Sequence, residues 1–387
     1  MSNDAQLNPE RRERLRRLAI LALKIILPLV LGTGVGVQVA PERVREIEKR
    51  VEVPTPAPSE RLDEFEKPTG WVRDPDVIER NLDQTKTLHF EQTPAGRAAL
   101  GDDDVFLFRA VRKAAKLPDT AYPNVNQGSV GCCVGAATKH GCDTVQATAI
   151  AQGASFEWKP VSVEVVYAGS RIDVGKGQIR GDGSLGRWAC EYVGRVGGIA
   201  PMERIGSTDL TTFSPARARE WGARGIPAEV SAVARQHPVK GAALVKSAAD
   251  VKRAIAQGYP VVVCSDVGFD NRDGSVGTRD AQGFCTPRGT WPHAMCFIAW
   301  RNGSRPGVLC LNSWGDSAHG GPVWPEDQPR AAFWIDEAVA DRMVRQGDSF
   351  ALSDVQGFPA RRVPIDWIIR TQERHRAPAL DTFALAW

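Results

Sequence analysis

Tyr122-Pro-Asn-Val-Asn-Gln-Gly-Ser-Val-Gly-Cys-Cys-Val-Gly-Ala-Ala137 decides how this chain is read. Gln127-Gly-Ser-Val-Gly131 is turn-like, and Ala136, Ala137 and Thr138 open a helical run toward Ile150. Cys132 and Cys133 therefore stand where a loop enters a helix, facing the positive end of its dipole. A thiol is a useful nucleophile only as thiolate, and a free cysteine with a pKa near ~8.5 is mostly protonated at neutral pH. A helix N-terminus and a neighbouring imidazolium both lower that pKa. Two further islands supply what is missing. Trp291-Pro-His-Ala-Met-Cys-Phe-Ile-Ala-Trp300 puts His293 at the head of an apolar strand, and Leu311-Asn-Ser-Trp-Gly315 offers Asn312 to orient that imidazole, with Trp314 covering the contact from water.

Together the three islands resemble the papain-like (C1) cysteine peptidases, with their Pro-Val-x-Asn-Gln-Gly-x-Cys-Gly-Ser-Cys-Trp, x-His-Ala and Asn-Ser-Trp-Gly motifs. The resemblance implies Cys133 as nucleophile, His293 as general base, Asn312 as its orienter and Gln127 as oxyanion donor, with the backbone N–H of Cys133 as second donor. Trp314 falls on the aromatic shield. Gly181-Asp-Gly-Ser-Leu-Gly-Arg-Trp188 is similar to the loop whose backbone pairs with substrate, so Gly183, Ser184 and Trp314 are the substrate-binding candidates. Val161-Ser-Val-Glu-Val-Val-Tyr167 is a weaker echo. The chain order Cys, His, Asn fits, and the gaps of 160 and 19 residues leave room for insertions such as Asn271–Arg288. The implied fold is α+β: a helical subdomain bearing Cys133, a β-barrel-like subdomain bearing His293 and Asn312, and a cleft between them. Three departures mark a divergent bacterial or phage-type member. Val130 stands where a disulfide cysteine is usual, Val134 replaces the tryptophan after the nucleophile, and Cys132 adds a second thiol.

Working outward, residues 1–17 form a basic head with Arg11, Arg12, Arg14, Arg16 and Arg17. From Leu18 to Val37 the only charge is Lys24. Twenty residues at about 1.5 Å rise span a bilayer core, so 18–39 reads as a transmembrane anchor. Lys24 at its centre costs about 2.5–3.5 kcal/mol, which the surrounding Leu, Ile and Val offset. A cleaved signal peptide and an interfacial helix are the rivals. The basic head outnumbers the bases just beyond the span, so the N-terminus is expected in the cytoplasm and the bulk on the exported, periplasmic or extracellular side. Residues 40–100 include Val53-Pro-Thr-Pro-Ala-Pro-Ser59, a semi-rigid linker, and then a polar stretch that reads as a stalk, an embrace of the next domain, or a propeptide lacking the usual helical pattern. The catalytic domain is expected over 101–353. There a helix over Lys246–Gln257 and strands over Pro260–Cys264, Ala294–Trp300 and Gly307–Leu311 are predicted, with a surface tail over 354–387.

Composition narrows the function. Lys+Arg 49 against Asp+Glu 46 gives +3, far from the basic excess of a nucleic-acid binder. Eight cysteines in 387 residues are too few for a disulfide scaffold. Cys264, Cys296 and Cys310 lie in strand-like runs and read as free and buried, while Cys142, Cys190 and Cys285 could pair in an exported domain. Cys132-Cys133 with His140 or Cys142 lacks the spaced pairs of a zinc site, so no metal or cofactor is expected. His89, His140, His237, His319 and His375 read as surface residues. The expected reaction is acyl transfer: hydrolysis of a peptide or isopeptide bond through a thioester, on a protein or peptide substrate. The alternatives are a catalytically inactive papain-fold binding module and an amidase or transpeptidase acting on cell-wall peptides. Nothing in the sequence fixes the oligomeric state.

Overall fold

The computed structural model describes residues 67–84, 87–119, 121–237 and 239–369. The anchor expected at 18–39, its basic head and the proline-containing linker lie outside the described residues. Among the described residues no helix is long and apolar enough to cross a membrane.

The helices are α1 (Pro75–Gln84), α2 (Phe108–Ala115), α3 (Cys133–Ala151), α4 (Val163–Gly169), α5 (Gly186–Glu191), α6 (Pro215–Arg224), α7 (Ala228–Ala234), α8 (Ala248–Ala256) and α9 (Glu337–Val344). The main strands are β1 (Asp104–Phe106), β2 (Arg204–Ile205), β3 (Thr208–Asp209), β4 (Gly241–Leu244), β5 (Val261–Val267), β6 (Thr290–Arg301), β7 (Gly307–Leu311), β8 (Ala332–Asp336), β9 (Phe350–Ser353) and β10 (Ile368–Ile369). Eight strands form one antiparallel sheet in the order β10-β1-β6-β5-β9-β4, with β7 branching from β6 and carrying β8. No pairing joins the ends among the described residues, so the expected barrel-like subdomain is an open, branched sheet.

Both faces of the sheet are covered, which explains its unbroken apolar runs. Along β5, Val261 and Val263 face a core shared with α8 and α9, while Val262 and Cys264 face the core containing α3. The two-residue strand period sorts them. The predicted helix over Lys246–Gln257 forms as α8: Ser247 Oγ accepts from Asp250 N at 3.1 Å as its cap, and Ala248, Val251, Ala254 and Ile255 are buried.

Helix α3 is buried on every face from Cys133 through Val145, including Lys139, His140 and Asp143. It is therefore a core helix instead of an amphipathic one. Small residues let its neighbours approach: a Cβ added to Gly135 would sit 2.8 Å from Tyr167 Cβ on α4. Lys139 Nζ meets Asp143 Oδ2 at 2.6 Å and also donates to Pro123 O at 2.7 Å, while Asp143 Oδ1 accepts from Val161 N at 2.9 Å. Burial pushes the Asp143 carboxyl up, and Lys139 opposes that shift.

The segments flanking the expected catalytic domain are built into it. Phe90 is buried and Leu88 O accepts from Leu244 N at 2.8 Å, so this stretch embraces the sheet. The surface tail expected from 354 is corrected as far as residue 369. Phe358, Val363 and Trp367 are buried, and β10 pairs with β1, because these apolar side chains complete the core over α8.

Candidate active site

Cys133 is the first residue of α3, and its thiol is fully buried. The N–H groups of Ala294, Val134 and Gly70 face the sulfur and favour its anion, but burial dominates and pushes the thiol up to about 12. Ala294 directly follows His293, so the chain brings the helix start and the head of β6 together.

His293 lies on β6 opposite Ser265 of β5. Its Nε2 is 2.9 Å from Asn312 Oδ1, and the Trp314 ring covers it at a centroid separation of 4.6 Å. An amide oxygen only accepts, so His293 Nε2 carries the proton and Nδ1 is bare. Nδ1 is buried with no hydrogen-bond partner among the described residues. Burial holds the imidazole down at about 4, against the opposing pull of Asn312. Asn312 immediately follows β7, and its Oδ1 also accepts from Ser313 N at 2.7 Å.

Gln127 is fixed to the same turn: its N–H donates to Ser313 O at 2.9 Å and its Oε1 accepts from Ser313 Oγ at 2.6 Å. The amide Nε2 donates to Val130 O at 2.8 Å and to Pro68 O at 3.0 Å. The structure thus gathers Gln127, His293, Asn312 and Trp314 into one hydrogen-bonded and stacked cluster beside the Cys133 helix start.

Residues 67–73, which the sequence left open between a stalk, an embrace of the next domain and a propeptide, form a strap across this cluster. Pro68 O accepts from both Gln127 Nε2 and Trp314 Nε1, the latter at 3.1 Å. Gly70 N and Trp71 N each donate to Pro292 O at 3.1 Å. Ser184 N donates to Gly70 O at 2.8 Å, and Val72 N to Ser184 O at 3.0 Å, a parallel bridge between Trp71 and Ser184. The backbone of Ser184, a substrate-binding candidate, is therefore satisfied by the chain itself. Gly183 (φ +113°) turns its carbonyl to Arg171 and its N–H to the Tyr167 hydroxyl at 3.0 Å. Gly70 fits only without a side chain, since a Cβ there would stand 2.0 Å from Gly131 O.

Trp71 anchors the strap. The side chain is 3% exposed, and its Nε1 donates to Asp348 Oδ2 at 2.8 Å. Asp348 is itself buried and accepts from Gly186 N and Arg187 N, each at 2.7 Å. Burial raises its carboxyl to about 6, with the indole and the two amides opposing. The strap's ends are tied by ion pairs, Lys67 to Asp270 and Arg73 to Asp266.

Two expectations are corrected. All eight cysteines are free and buried, so Cys142, Cys190 and Cys285 make no disulfide. His140 and His319 are buried, not on the surface. His140 lies within the buried run of α3, and His319 stands directly behind Asn312. Sequence reasoning missed Pro68, Trp71, Asp348 and His319. Only His319 had a local signal, lying seven residues beyond Asn312 and four past the end of that island.

No family model matches the chain, and no curated protein sequence matches it. Among solved structures, xylellain, a cysteine protease from Xylella fastidiosa, superposes with a TM-score of 0.51 at 18% identity over 75% of this chain and 97% of that one. The fold is papain-like. Procathepsin B from Trypanosoma congolense (TM-score 0.44, 13% identity, 73% of this chain and 85% of that one) and a digestive procathepsin L from Tenebrio molitor (0.43, 13%, 71% and 78%) also match. At 18% identity the likeness to xylellain extends to the fold, and the chemistry of this chain has to be argued from its own residues.

Proposed function

We propose that this chain is a cysteine peptidase acting on protein or peptide substrates, and that its own strap holds it shut. The observation that carries the reading is the tautomer of His293: its Nε2–H donates to Asn312 Oδ1, which leaves Nδ1 bare on the residue before Ala294, whose N–H faces the Cys133 sulfur. In the open state Nδ1 takes the thiol proton and Cys133 Sγ attacks the scissile carbonyl. Gln127 Nε2 and the Cys133 N–H receive the developing oxyanion. The imidazolium then protonates the leaving amine, and water, deprotonated by the same nitrogen, resolves the thioester.

The strap supports latency because it uses the groups a substrate needs. Pro68 O takes the Gln127 amide, and Gly70 and Val72 take the Ser184 backbone. The parallel pairing at Ser184 is the strap's own register on that edge. A peptide substrate has to displace it. The apolar span at 18–39 would hold the domain at a membrane, on the exported side by the balance of flanking bases.

The test is digestion of an unfolded protein by the full chain and by Cys133→Ala, with products sequenced by mass spectrometry. Peptides released by the wild type after strap displacement, and absent with Cys133→Ala, support the reading. Identical product profiles from the two refute it.

A further inference from the structure

Asn312 is itself held from behind. Its Nδ2 lies 3.0 Å from Nε2 of the buried His319, whose Nδ1 lies 2.9 Å from Gly277 O. The direction of this chain of bonds follows from elementary chemistry. A carbonyl oxygen only accepts, so His319 Nδ1 carries a proton and donates to Gly277 O. Burial keeps the ring neutral, at about 4, with the charge of Arg279 pushing the same way and the Gly277 carbonyl opposing. A neutral imidazole has one N–H, so His319 Nε2 presents a lone pair and Asn312 Nδ2 donates to it. The Asn312 carbonyl is then turned the other way, toward His293 Nε2–H and Ser313 N.

The surroundings of His319 fix it in that role. Its ring packs on Phe333 at a centroid separation of 4.4 Å. Arg279 Nη2 donates to His319 O at 2.7 Å, and Arg279 Nη1 to Arg330 O and Ala332 O at 2.8 and 2.9 Å. The Arg279 backbone N–H donates to Gly320 O at 2.9 Å. Gly277 and Arg279 both lie in the 271–288 stretch, so this segment acts as a clamp on the loop behind the site. Gly277 O also takes a long contact from the Cys285 thiol at 3.6 Å.

We propose that His319 is a positioning residue that fixes the Asn312 amide and thereby the Nε2–H tautomer of His293. This rests on the reading of Cys133 and His293 as nucleophile and base. In the proton transfer the thiol S–H bond breaks and a bond to His293 Nδ1 forms, giving thiolate and imidazolium. The proton on Nε2 stays in its bond to Asn312 Oδ1. His319 gains and loses no proton, and it acts only through the asparagine.

The test uses the full chain and three substitutions. His319→Phe keeps the ring on Phe333 and removes the acceptor for Asn312 Nδ2. His319→Gln restores an acceptor oxygen. His293→Ala reports on the base itself. The first readout is the 15N spectrum of the histidine side chains, which distinguishes the two tautomers and needs no catalysis. The wild type and His319→Gln are expected to show His293 protonated at Nε2 alone, and His319→Phe a mixture. The second readout is the pH profile of Cys133 alkylation in a Trp71→Ala background. His319→Phe is expected to lose about tenfold or more of the reactivity at neutral pH, with His319→Gln recovering most of it. An unchanged His293 tautomer and an unchanged pH profile in a folded His319→Phe protein would overturn the proposal. Should His293→Ala leave the alkylation profile untouched, the nucleophile–base reading fails instead, and the 15N spectrum still decides the role of His319.

Discussion

The two parts of the chain that meet over Cys133 are held by different means. The cluster of Gln127, His293, Asn312 and His319 is buried and joined side chain to side chain or through the Ser313 backbone, on strand ends and tight turns that the core fixes. The strap over it is fastened in the middle by one buried indole and by backbone hydrogen bonds of Pro68, Gly70, Trp71 and Val72, and at each end by an ion pair whose partners reach solvent, Arg73 being about half exposed. Buried side-chain networks are rigid and costly to break. Exposed ion pairs contribute little and are screened by salt. On the proposed reading, the difference separates a preorganised site from a cover that can be released.

This contrast can be broken at several strengths. Lys139→Met should have the largest effect, because it strands Asp143 inside α3. Breaking a buried pair costs about 3–5 kcal/mol, and urea denaturation should show a loss of that order. A loss within about 0.5 kcal/mol would mean that α3 tolerates disruption as a surface helix does. Trp71→Phe keeps an aromatic ring in the pocket but leaves Asp348 without one of its three donors. The cost, about 1–3 kcal/mol, should fall on closure of the strap and not on global unfolding. Thiol alkylation should therefore accelerate while the urea midpoint stays nearly fixed. Replacing Lys67 and Arg73 together by Ala should do least, at most about 1 kcal/mol per pair. Their effect should be mimicked in the wild type by about 1 M salt, which screens charges beyond roughly 3 Å. A larger effect of the double variant than of Trp71→Phe would reverse the ranking of indole and ion pairs.

How far the sequence could be read follows the same division. The strands that carry the site were legible because alternation and apolar runs report burial directly: β7 spans the predicted Gly307–Leu311, and β5 and β6 contain or extend the other two runs. The helix start at Cys133 was legible from the turn residues before it. The strap was not, because Lys67-Pro-Thr-Gly-Trp-Val-Arg73 has no period, and its bonds run to Ser184, Pro292 and Asp348, all more than a hundred residues away. His319 escaped for a related reason. A histidine in a polar loop looks exposed until Arg279 and Gly277 are seen to enclose it. The strand order of the branched sheet was likewise out of reach, because it is set by long-range strand pairing, which local pattern does not encode.

The most direct measurement is the pH dependence of Cys133 alkylation by iodoacetamide in the full chain, comparing wild type with Trp71→Ala and reading adducts by intact mass. With the strap closed, burial raises the thiol to about 12 and lowers His293 to about 4. Between those limits both groups are neutral, so wild-type labelling of Cys133 should be slow at neutral pH and rise only toward alkaline pH. Removing the buried indole costs the strap about 3–5 kcal/mol of docking. It should uncover the pair, let water favour the charged forms, and give fast labelling that already reaches a plateau near neutral pH. Equal rates and equal profiles in the two proteins would contradict a reactive thiol held under its own chain.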